Sequence, residues 1–501
     1  MILLYSLSAG ILYFLSFPPF NLEYLIFPSL TLFYWTLAIK NKPFYSGFVF
    51  AVTSYGVILF GIQSIGYEAW IPLLILMGLI YGTFGYMFNK VSTISTSKFL
   101  NSLAIISIFD LVRLYFPFNG FPWGLPGTVL VDIKILKSLF QAFGTLGVSL
   151  LISSICLAIV LFSDRTFWKN YIFVFTSLII ISVFAQYQLP TLNNGTQTTI
   201  AIVQGNSPCP GAKNFCQNER QLIYESHLRQ TMEINKNVDL VVWPESSTGF
   251  NNDPFLHSDV LLEISNEANR LNSFFLIGGD RPIDSNYFEN YGLFIDNKGL
   301  IVDQYLKQHP VPFGEYIPFR KYLDWIPPLA LVPRDMIRGT EEKIFDLNNT
   351  KIATVISFEG SFQRYIRNSV KNGAEIVVIL TNQASYGESA MSDQFILMSR
   401  ANAISNNRPI VHAAITGKSA FISNDGAVLS ETQLFETITT IEKVTGTTGT
   451  TLFTKFGNYL NLLETVFFML YANVSRLLRE SIRSFVLRSS SANSSASSTM
   501  R

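Results

Sequence analysis

The first 190 residues are almost continuously apolar, in runs long enough to form helices that cross a lipid bilayer. A membrane-crossing helix needs roughly 17–25 mostly apolar residues. Runs of about this length cover residues 2–16, 21–38, 44–63, 70–88, 99–116, 137–163, 170–187 and 456–476. We therefore predict an α-helical polytopic membrane domain with seven helices over residues 1–190 and a final transmembrane helix over 456–476.

Lysine and arginine are concentrated in alternate loops between the predicted helices. Lys42, Lys90 and Lys169 follow the second, fourth and sixth helices, and Arg479 and Arg483 follow the last one. Loops rich in lysine and arginine stay in the cytoplasm. Both termini are therefore predicted to be cytoplasmic, with the long segment between the last two helices on the opposite face. A serine-rich tail over residues 489–501 is predicted to be disordered.

Residues 198–445 have a different pattern, in which short apolar runs alternate with polar helical ones. Strands are predicted at 198–205, 238–244, 273–278, 351–358 and 375–382, and helices at 215–235, 256–271, 361–372 and 388–406. Turn sequences at 297–299 and 424–426 each predict a hairpin. Strands that alternate with helices indicate a layered α/β domain.

Composition agrees with a membrane protein that carries a soluble domain. Hydrophobic residues make up 49% and charged residues only 14% of the chain, against about 25% charged in an ordinary soluble protein. The 36 basic and 35 acidic residues nearly cancel, so nothing indicates attraction to nucleic acid. The four histidines lack metal-ligand spacing, and we expect no metal. Cys209 and Cys216 allow either a disulfide or two free thiols.

Three polar residues follow predicted strands of the soluble domain. Glu245 comes after Trp243-Pro244 and suits a general base. Lys307 suits the stabilisation of an oxyanion, and Ser357 suits a nucleophile. Taken singly, each also fits a structural role, as a solvated glutamate, an exposed loop lysine or a buried serine. Together they are the parts of an acyl-transfer site.

These stretches, in this order and after seven predicted membrane helices, resemble those of bacterial apolipoprotein N-acyltransferases. The similarity extends over almost the whole chain. It is carried by SFPPF at 16–20, GFPW at 120–123, VQGN at 203–206, WPES at 243–246, KQHPVPFGE at 307–315 and ISFE at 356–359. The resemblance implies a nitrilase-like αββα sandwich, of the carbon-nitrogen hydrolase type, over residues 198–445. It also implies a multi-pass protein of the bacterial inner membrane whose catalytic domain faces the periplasm.

The resemblance further implies a reaction and a set of site residues. Glu245 is the expected base, Lys307 the stabiliser of the tetrahedral intermediate, and Ser357 stands at the nucleophile position, with Glu315 and Glu359 as supporting acids. An acyl chain is expected to pass from a phospholipid to the enzyme. It then passes to the N-terminal amine of a diacylglyceryl-cysteine apolipoprotein. The expected enzyme is a monomer that needs no cofactor.

The chain departs from the family pattern where the chemistry matters most. Ser357 replaces the expected cysteine, and a hydroxyl is a much weaker acid than a thiol. Gln383 and Ser385 replace an acid and a tryptophan, and Ser405 stands where a glutamate is often found. These departures leave two alternatives to a working acyltransferase. One is a pseudoenzyme that binds lipid or lipoprotein without turnover. The other is a membrane-tethered nitrilase-type amidase, which is less favoured because it too would need the missing cysteine.

Overall fold

The amino-terminal part of the chain is helical throughout, as predicted. The computed structural model describes residues 1–39, 41–94, 98–162, 167–188, 194–209, 216, 218–472, 474, 481 and 484. All seven apolar runs before residue 190 are helices: α1 Ile2–Leu15, α2 Ile26–Ala38, α3 Pro43–Ile58, α4 Tyr67–Ile94, α5 Lys98–Arg113, α6 Lys137–Val160 and α7 Phe167–Gln188. Arg479, Arg483 and the predicted tail at 489–501 lie outside the described residues.

Two helices among the described residues are long and apolar enough to cross a membrane by length and composition. They are Tyr67–Val91 and Lys134–Val160. Four shorter apolar helices are Ile2–Leu15, Pro43–Ile58, Trp168–Ile180 and Tyr459–Ala472. The helical nature of the predicted segments is thus confirmed, whereas membrane crossing by the whole set stays a prediction.

An aromatic core holds the amino-terminal helices together. The rings of Phe33 and Phe50 stack with centroids 3.8 Å apart, and Tyr81 lies against both. Helix α3 comes close to α4 at Gly47, where a Cβ would lie only 2.1 Å from the Tyr81 carbonyl oxygen. A small residue at such a crossing lets two helix backbones approach, as is typical of helices that associate within membranes.

Two β-sheets form the second part of the chain. The first has the strand order β13-β1-β2-β3-β4-β5, with β6 paired to β4, and the second has the order β12-β11-β10-β9-β8-β7. The strands are β1 Asn194–Gln204, β2 Leu240–Trp243, β3 Phe274–Pro282, β4 Tyr287–Ile295, β5 Ile301–Leu306, β6 Asp335–Met336, β7 Ile344–Leu347, β8 Thr350–Ile356, β9 Ile376–Thr381, β10 Ile410–Ala414, β11 Ala420–Ile422, β12 Val428–Glu431 and β13 Ile438–Thr447. Both predicted hairpins, β4–β5 and β11–β12, are confirmed.

The two sheets pack face to face, with helices on both outer surfaces. Val242 and Leu276 of the first sheet share one buried cluster with Val378 and Leu380 of the second. The helices are α8 Glu219–Met232, α9 Ser258–Leu271, α10 Arg320–Leu323, α11 Gln363–Lys371, α12 Met391–Asn406 and α13 Leu452–Phe456. Helices α8 and α9 cover the first sheet, and α11 and α12 cover the second. This arrangement confirms the predicted αββα sandwich.

The last helix, α14 (Tyr459–Ala472), and the sandwich both attach to a break in α6. Gly144 has a φ of 66°, which no helical residue adopts. The break frees two backbone groups, and each finds a partner on another element. The Phe143 carbonyl oxygen accepts from Asn461 Nδ2 at 2.9 Å, and the Thr145 amide donates to Gln363 Oε1 in α11 at 3.0 Å.

The three cysteines have distinct roles in the fold. Cys209 and Cys216 form a disulfide, which decides between the two alternatives that the sequence leaves open. Cys156 is free and buried in α6. It occupies the position of a small apolar side chain.

Candidate active site

Glu245 lies just beyond the end of β2, in a turn that approaches the neighbouring strand closely. Strand β2 ends at Trp243, and Pro244 then restricts the backbone. The turn passes over Gly278 of β3, where a Cβ would lie 2.2 Å from the Pro244 carbonyl oxygen. Only glycine leaves room at this point. The Glu245 side chain is consequently placed at the edge of the sheet, and it is buried.

Both carboxylate oxygens of Glu245 have hydrogen-bond donors. Oε1 accepts from Asn290 Nδ2 at 2.9 Å and from Lys307 Nζ at 2.9 Å. Oε2 accepts from the backbone amide of Asn382 at 2.8 Å. Asn382 follows β9 in the second sheet, so Glu245 bridges the two sheets at one end of the sandwich.

Lys307 is a completely buried cation between two carboxylates. It follows β5 and is 0% exposed. Its Nζ lies 2.9 Å from Glu245 Oε1 and 2.5 Å from Glu315 Oε1. Burial lowers the pKa of Lys307, but the charges of Glu245 and Glu315 outweigh burial and raise it well above the usual range. Lys307 therefore remains an ammonium group in the sandwich.

Ser357 occupies a sharp turn at the end of β8. The strand stops at Ile356, and Ser357 has a φ of 54° as the first residue of a short 3₁₀ helix over Ser357–Ser361. A positive φ is uncommon for a residue with a side chain, and such strand-to-helix turns present a nucleophile at a sheet edge. The next residue, Phe358, stacks on Trp123 of the helical part, with centroids 6.2 Å apart.

Glu359 connects the Lys307 segment to the Ser357 segment. Its Oε2 accepts from the Ile356 amide at 2.7 Å and from the Tyr305 hydroxyl at 2.8 Å. Its Oε1 accepts from the amides of Gln308 and His309 at 2.5 and 2.8 Å. Burial raises the pKa of Glu359, and these donors oppose the shift. Glu359 thus holds the chain on both sides of the site.

The structure brings Glu245, Lys307 and Glu315 together, and it links the Ser357 segment to them through Glu359. Glu245, Lys307 and Glu315 are in direct contact, and Glu359 ties Lys307's strand to the one that ends before Ser357. Burial raises the pKa of Glu315, although Lys307 acts in the opposite direction. A carboxylate, an ammonium group and a hydroxyl, on segments of the two sheets that Glu359 links, are the groups that acyl transfer requires. Among the described residues, no group of three or more histidine, cysteine or acidic side chains is arranged to hold a metal ion.

No sequence motif singles out several of the residues that surround the site. Asn290 holds Glu245, and the only local signal is a polar residue at a buried position of β4. Burial raises the pKa of Asp280 to about 6, and Glu245 adds to the shift. Burial and then Glu245 raise the pKa of Tyr386 to about 12. Tyr305 donates to Glu359 from across the interior of the sandwich.

The residues that depart from the family pattern occupy buried hydrogen-bond networks. Gln383 accepts from Ser392, and its Nε2 lies 3.3 Å from His412 Nε2. Ser405 accepts from Gln363 Nε2 at 2.8 Å. Gln383 and Ser405 therefore each pair with neighbouring polar side chains, not with one another.

A hydrogen-bond network attaches the sandwich to the helical part. Arg113 of α5 donates to the hydroxyls of Tyr55 and Tyr81 at 2.8 and 2.9 Å and to the Trp123 carbonyl oxygen at 2.6 Å. Trp123 Nε1 in turn donates to Gln394 Oε1 of α12. All five side chains are buried. The loop that carries Trp123 is thus held from both sides next to Phe358.

Comparison with known proteins agrees with this architecture. Residues 199–451 match the family model of the carbon-nitrogen hydrolases, which is half of the chain. The chain belongs to the carbon-nitrogen hydrolase family. Residues 9–158 match the model of the apolipoprotein N-acyltransferase N-terminal domain. The resemblance predicted from the sequence is thereby confirmed for both parts of this carbon-nitrogen hydrolase.

Individual relatives extend over nearly the full length. The apolipoprotein N-acyltransferase of Aquifex aeolicus is 28% identical over 451 residues, which cover 85% of this chain and 94% of that protein. The apolipoprotein N-acyltransferase of Geobacter metallireducens is 25% identical over 463 residues, covering 86% and 87%. Among solved structures, XC1258 of Xanthomonas campestris, a CN-hydrolase superfamily protein, is 16% identical with a TM-score of 0.38. That match covers 50% of this chain and 91% of XC1258.

Proposed function

We propose that the protein is an apolipoprotein N-acyltransferase that uses Ser357 as its nucleophile. It moves an acyl chain from a phospholipid to the N-terminal amine of a diacylglyceryl-cysteine lipoprotein. The observation that carries this proposal is the buried Glu245–Lys307–Glu315 cluster of the first sheet, which Glu359 links to the turn of the second sheet that carries Ser357. Relatives of that name, matched along both parts of the chain, support the choice of substrates.

The first half-reaction forms an acyl-enzyme. Ser357 Oγ attacks the carbonyl carbon of the phospholipid ester while Glu245 takes the hydroxyl proton. The Lys307 ammonium stabilises the negative charge on the carbonyl oxygen of the tetrahedral intermediate. The bond from the carbonyl carbon to the glycerol oxygen then breaks, and Glu245 returns the proton to that oxygen. The products are a serine ester and a lysophospholipid.

The second half-reaction transfers the chain to the lipoprotein. The α-amino nitrogen of the diacylglyceryl-cysteine attacks the serine ester, and Glu245 accepts a proton from the amine. The carbon–Oγ bond breaks, and the proton returns to Ser357. An amide is formed, and the free enzyme is restored. Because an oxygen ester is less reactive toward amines than a thioester, this step is slower than it would be with a cysteine.

The proposed location is the bacterial inner membrane, with residues 198–445 in the periplasm and the protein acting as an integral, monomeric enzyme. Residues 1–190 and 456–476 form the membrane part in this arrangement. The apolar helices and the alternation of basic loops support it. The Cys209–Cys216 disulfide adds support, since disulfides persist in the oxidising periplasm.

A pseudoenzyme is the second candidate, and the serine at position 357 is the observation that favours it. Complementation separates the two candidates in a strain depleted of its own N-acyltransferase. The chain, Ser357→Cys and Ser357→Ala are expressed at equal levels in the membrane. Rescue by the chain and by Ser357→Cys, but not by Ser357→Ala, is the expected result. Rescue by Ser357→Cys alone identifies a pseudoenzyme, and rescue by none rejects the acyltransferase proposal. Mass spectrometry of the purified chain should show an acyl adduct on Ser357.

A further inference from the structure

His309 is a buried histidine whose Nε2 atom has no hydrogen-bond partner. The side chain is 1% exposed, and its ring packs against Phe362 and Phe358 with centroids 4.5 and 5.5 Å apart. Among the described residues, none forms a hydrogen bond with Nε2. Buried polar atoms in folded proteins nearly always have a partner, so an unpaired one points to a binding role.

The proton of the neutral ring is on this unpaired nitrogen. The other nitrogen, Nδ1, lies 3.2 Å from Arg364 Nη2 and 3.0 Å from the Tyr365 hydroxyl. A guanidinium group can only donate, so Nδ1 accepts and the ring proton resides on Nε2. Burial and the charge of Arg364 lower the pKa of His309 to about 3, so the ring is neutral near pH 7. The Nε2–H group is consequently a donor that lacks an acceptor.

His309 belongs to the same hydrogen-bonded unit as the nucleophile. Its backbone amide donates to Glu359 Oε1 at 2.8 Å. The other oxygen of Glu359 accepts from Ile356 at 2.7 Å, one residue before Ser357. His309 also follows Lys307 by two residues. A ligand group bound at Nε2 would therefore be a neighbour of the reacting ester.

Two arginines near His309 add positive charge that no carboxylate balances. Arg364 donates to two backbone carbonyl oxygens of the loop after α5, at 2.6 and 2.7 Å. Arg338 precedes Gly339, whose amide donates to the Lys307 carbonyl oxygen at 2.8 Å. Within the described part of the chain, neither guanidinium has a nitrogen within 4.0 Å of an acidic side-chain oxygen. Arg338 is exposed to solvent, and its guanidinium lies over the ring of Tyr316, 5.2 Å from the centroid.

We propose that His309 Nε2–H and the Arg338 guanidinium bind the phosphodiester group of the donor phospholipid. A phosphodiester carries a negative charge that can pair with the Arg338 guanidinium. Its oxygens can also accept a hydrogen bond from His309 Nε2–H. This proposal rests on the proposed acyltransferase function. It adds a means of telling the two substrates apart, because the diacylglyceryl-cysteine acceptor carries no phosphate at the corresponding place.

A lipid reaches Nε2 only when the side chains that cover it move. The segment that follows His309, residues 313–333, contacts the helical part through Phe313, whose ring lies 5.8 Å from that of Phe118. The same segment exposes Phe319, Tyr322 and Trp325 by 71, 70 and 78%. Exposed aromatic rings beside membrane helices suit contact with lipid. The rings that cover His309 itself are those of Phe358, Phe362 and Tyr365, so movement of these side chains is needed to open the approach to Nε2.

The test is equilibrium binding to the full chain in detergent micelles with two lipid probes. One probe is a dialkyl ether phosphatidylglycerol, which has the phosphodiester but no ester to cleave. The other is the matching dialkylglycerol, which lacks the phosphate. His309→Gln keeps an amide donor near the Nε2 position, whereas His309→Asn places its donor near Nδ1. Arg338→Gln removes the charge at an exposed position, so the test does not depend on refolding around a buried substitution.

The chain and His309→Gln are expected to bind the phosphate-bearing probe at least about tenfold more tightly than the other. His309→Asn and Arg338→Gln should lose most of this preference. A preference that survives in both of these variants, or is missing from the unaltered chain, overturns the proposal. Displacement of the ether lipid by equimolar inorganic phosphate would assign the site to free phosphate instead.

If the preference for the phosphate-bearing probe is as expected but Ser357 is never acylated, the subsite stands and acyl transfer fails. If Ser357 is acylated but the chain does not prefer the phosphate-bearing probe, acyl transfer stands and the proposed phosphodiester subsite fails.

Discussion

Lys307 Nζ lies 2.9 Å from Glu245 Oε1, and both side chains are shielded from solvent. The two residues are 62 positions apart and come from the ends of different strands. Glu315 contacts the same ammonium group, so one buried cation serves two buried carboxylates. Removal of the cation would leave both acids in a medium where an unpaired charge is costly.

Lys307→Met is therefore expected to abolish acylation of Ser357. It should also lower the free energy of unfolding by about 3–5 kcal/mol. Thermal unfolding and intact-protein mass spectrometry measure the two effects. Lys343→Met is the matched control, because Lys343 forms a more exposed ion pair with Asp303 at 3.2 Å. Such an exposed pair contributes about 0–1 kcal/mol to the free energy of unfolding. Equal losses of this free energy in Lys307→Met and Lys343→Met would contradict the special role of Lys307.

Gly278→Ala should impair the reaction by displacing Glu245 rather than by touching substrate. The added Cβ would lie 2.2 Å from the Pro244 carbonyl oxygen and 2.6 Å from the Glu245 Cα. We expect Ser357 acylation to fall by about 10²-fold, since displacement of a catalytic group by about 1 Å has effects of this size. In the control Gly56→Ala, the nearest atom to the new Cβ is 4.0 Å away. Unchanged single-turnover acylation in Gly278→Ala would argue against a base at Glu245.

Glu359→Gln should loosen both segments that flank the site. Three backbone amides and the Tyr305 hydroxyl donate to this carboxylate, and a glutamine NH₂ group cannot accept any of them. The expected loss in the free energy of unfolding is about 1–3 kcal/mol for each donor left unpaired. Thermal unfolding and the acylation rate are the measurements. Glu341→Gln, at an exposed side chain, should leave both unchanged.

His412 makes the stability of the sandwich sensitive to mild acid. Burial lowers its pKa to about 3, against about 6.5 in an unfolded chain. Between these values the unfolded state binds a proton that the native state does not, so stability decreases as the pH falls below about 6.5. At pH 5 the loss from this residue is about 2 kcal/mol. His412→Gln should remove this part of the pH dependence of the unfolding temperature, whereas the exposed His257→Gln should retain it.

Local patterns in the chain were sufficient to predict most of the secondary structure and the layered fold. The length of apolar runs predicts α1–α7 and α14, and the alternation of short strands with polar helices predicts the sandwich. This reasoning misses four strands, of which β10 lies inside the second sheet, β13 and β7 are edge strands, and β6 pairs only with β4. Helix and strand formation depends mainly on residues a few positions apart. Such patterns are therefore visible in a linear sequence.

The identity of Glu245, Lys307, Glu315, Ser357 and Glu359 as candidate residues also came from the linear order of motifs. The contacts between these residues could not be predicted from that order. Only folding could show that Asn382, 137 residues after Glu245, donates its amide to that carboxylate. The surroundings of His309 likewise depend on Arg364 and Tyr365, which are 55 and 56 residues away along the chain. A sequence supplies the chemical groups, but burial and long-range hydrogen bonds decide which charges persist and which atoms remain available to a ligand.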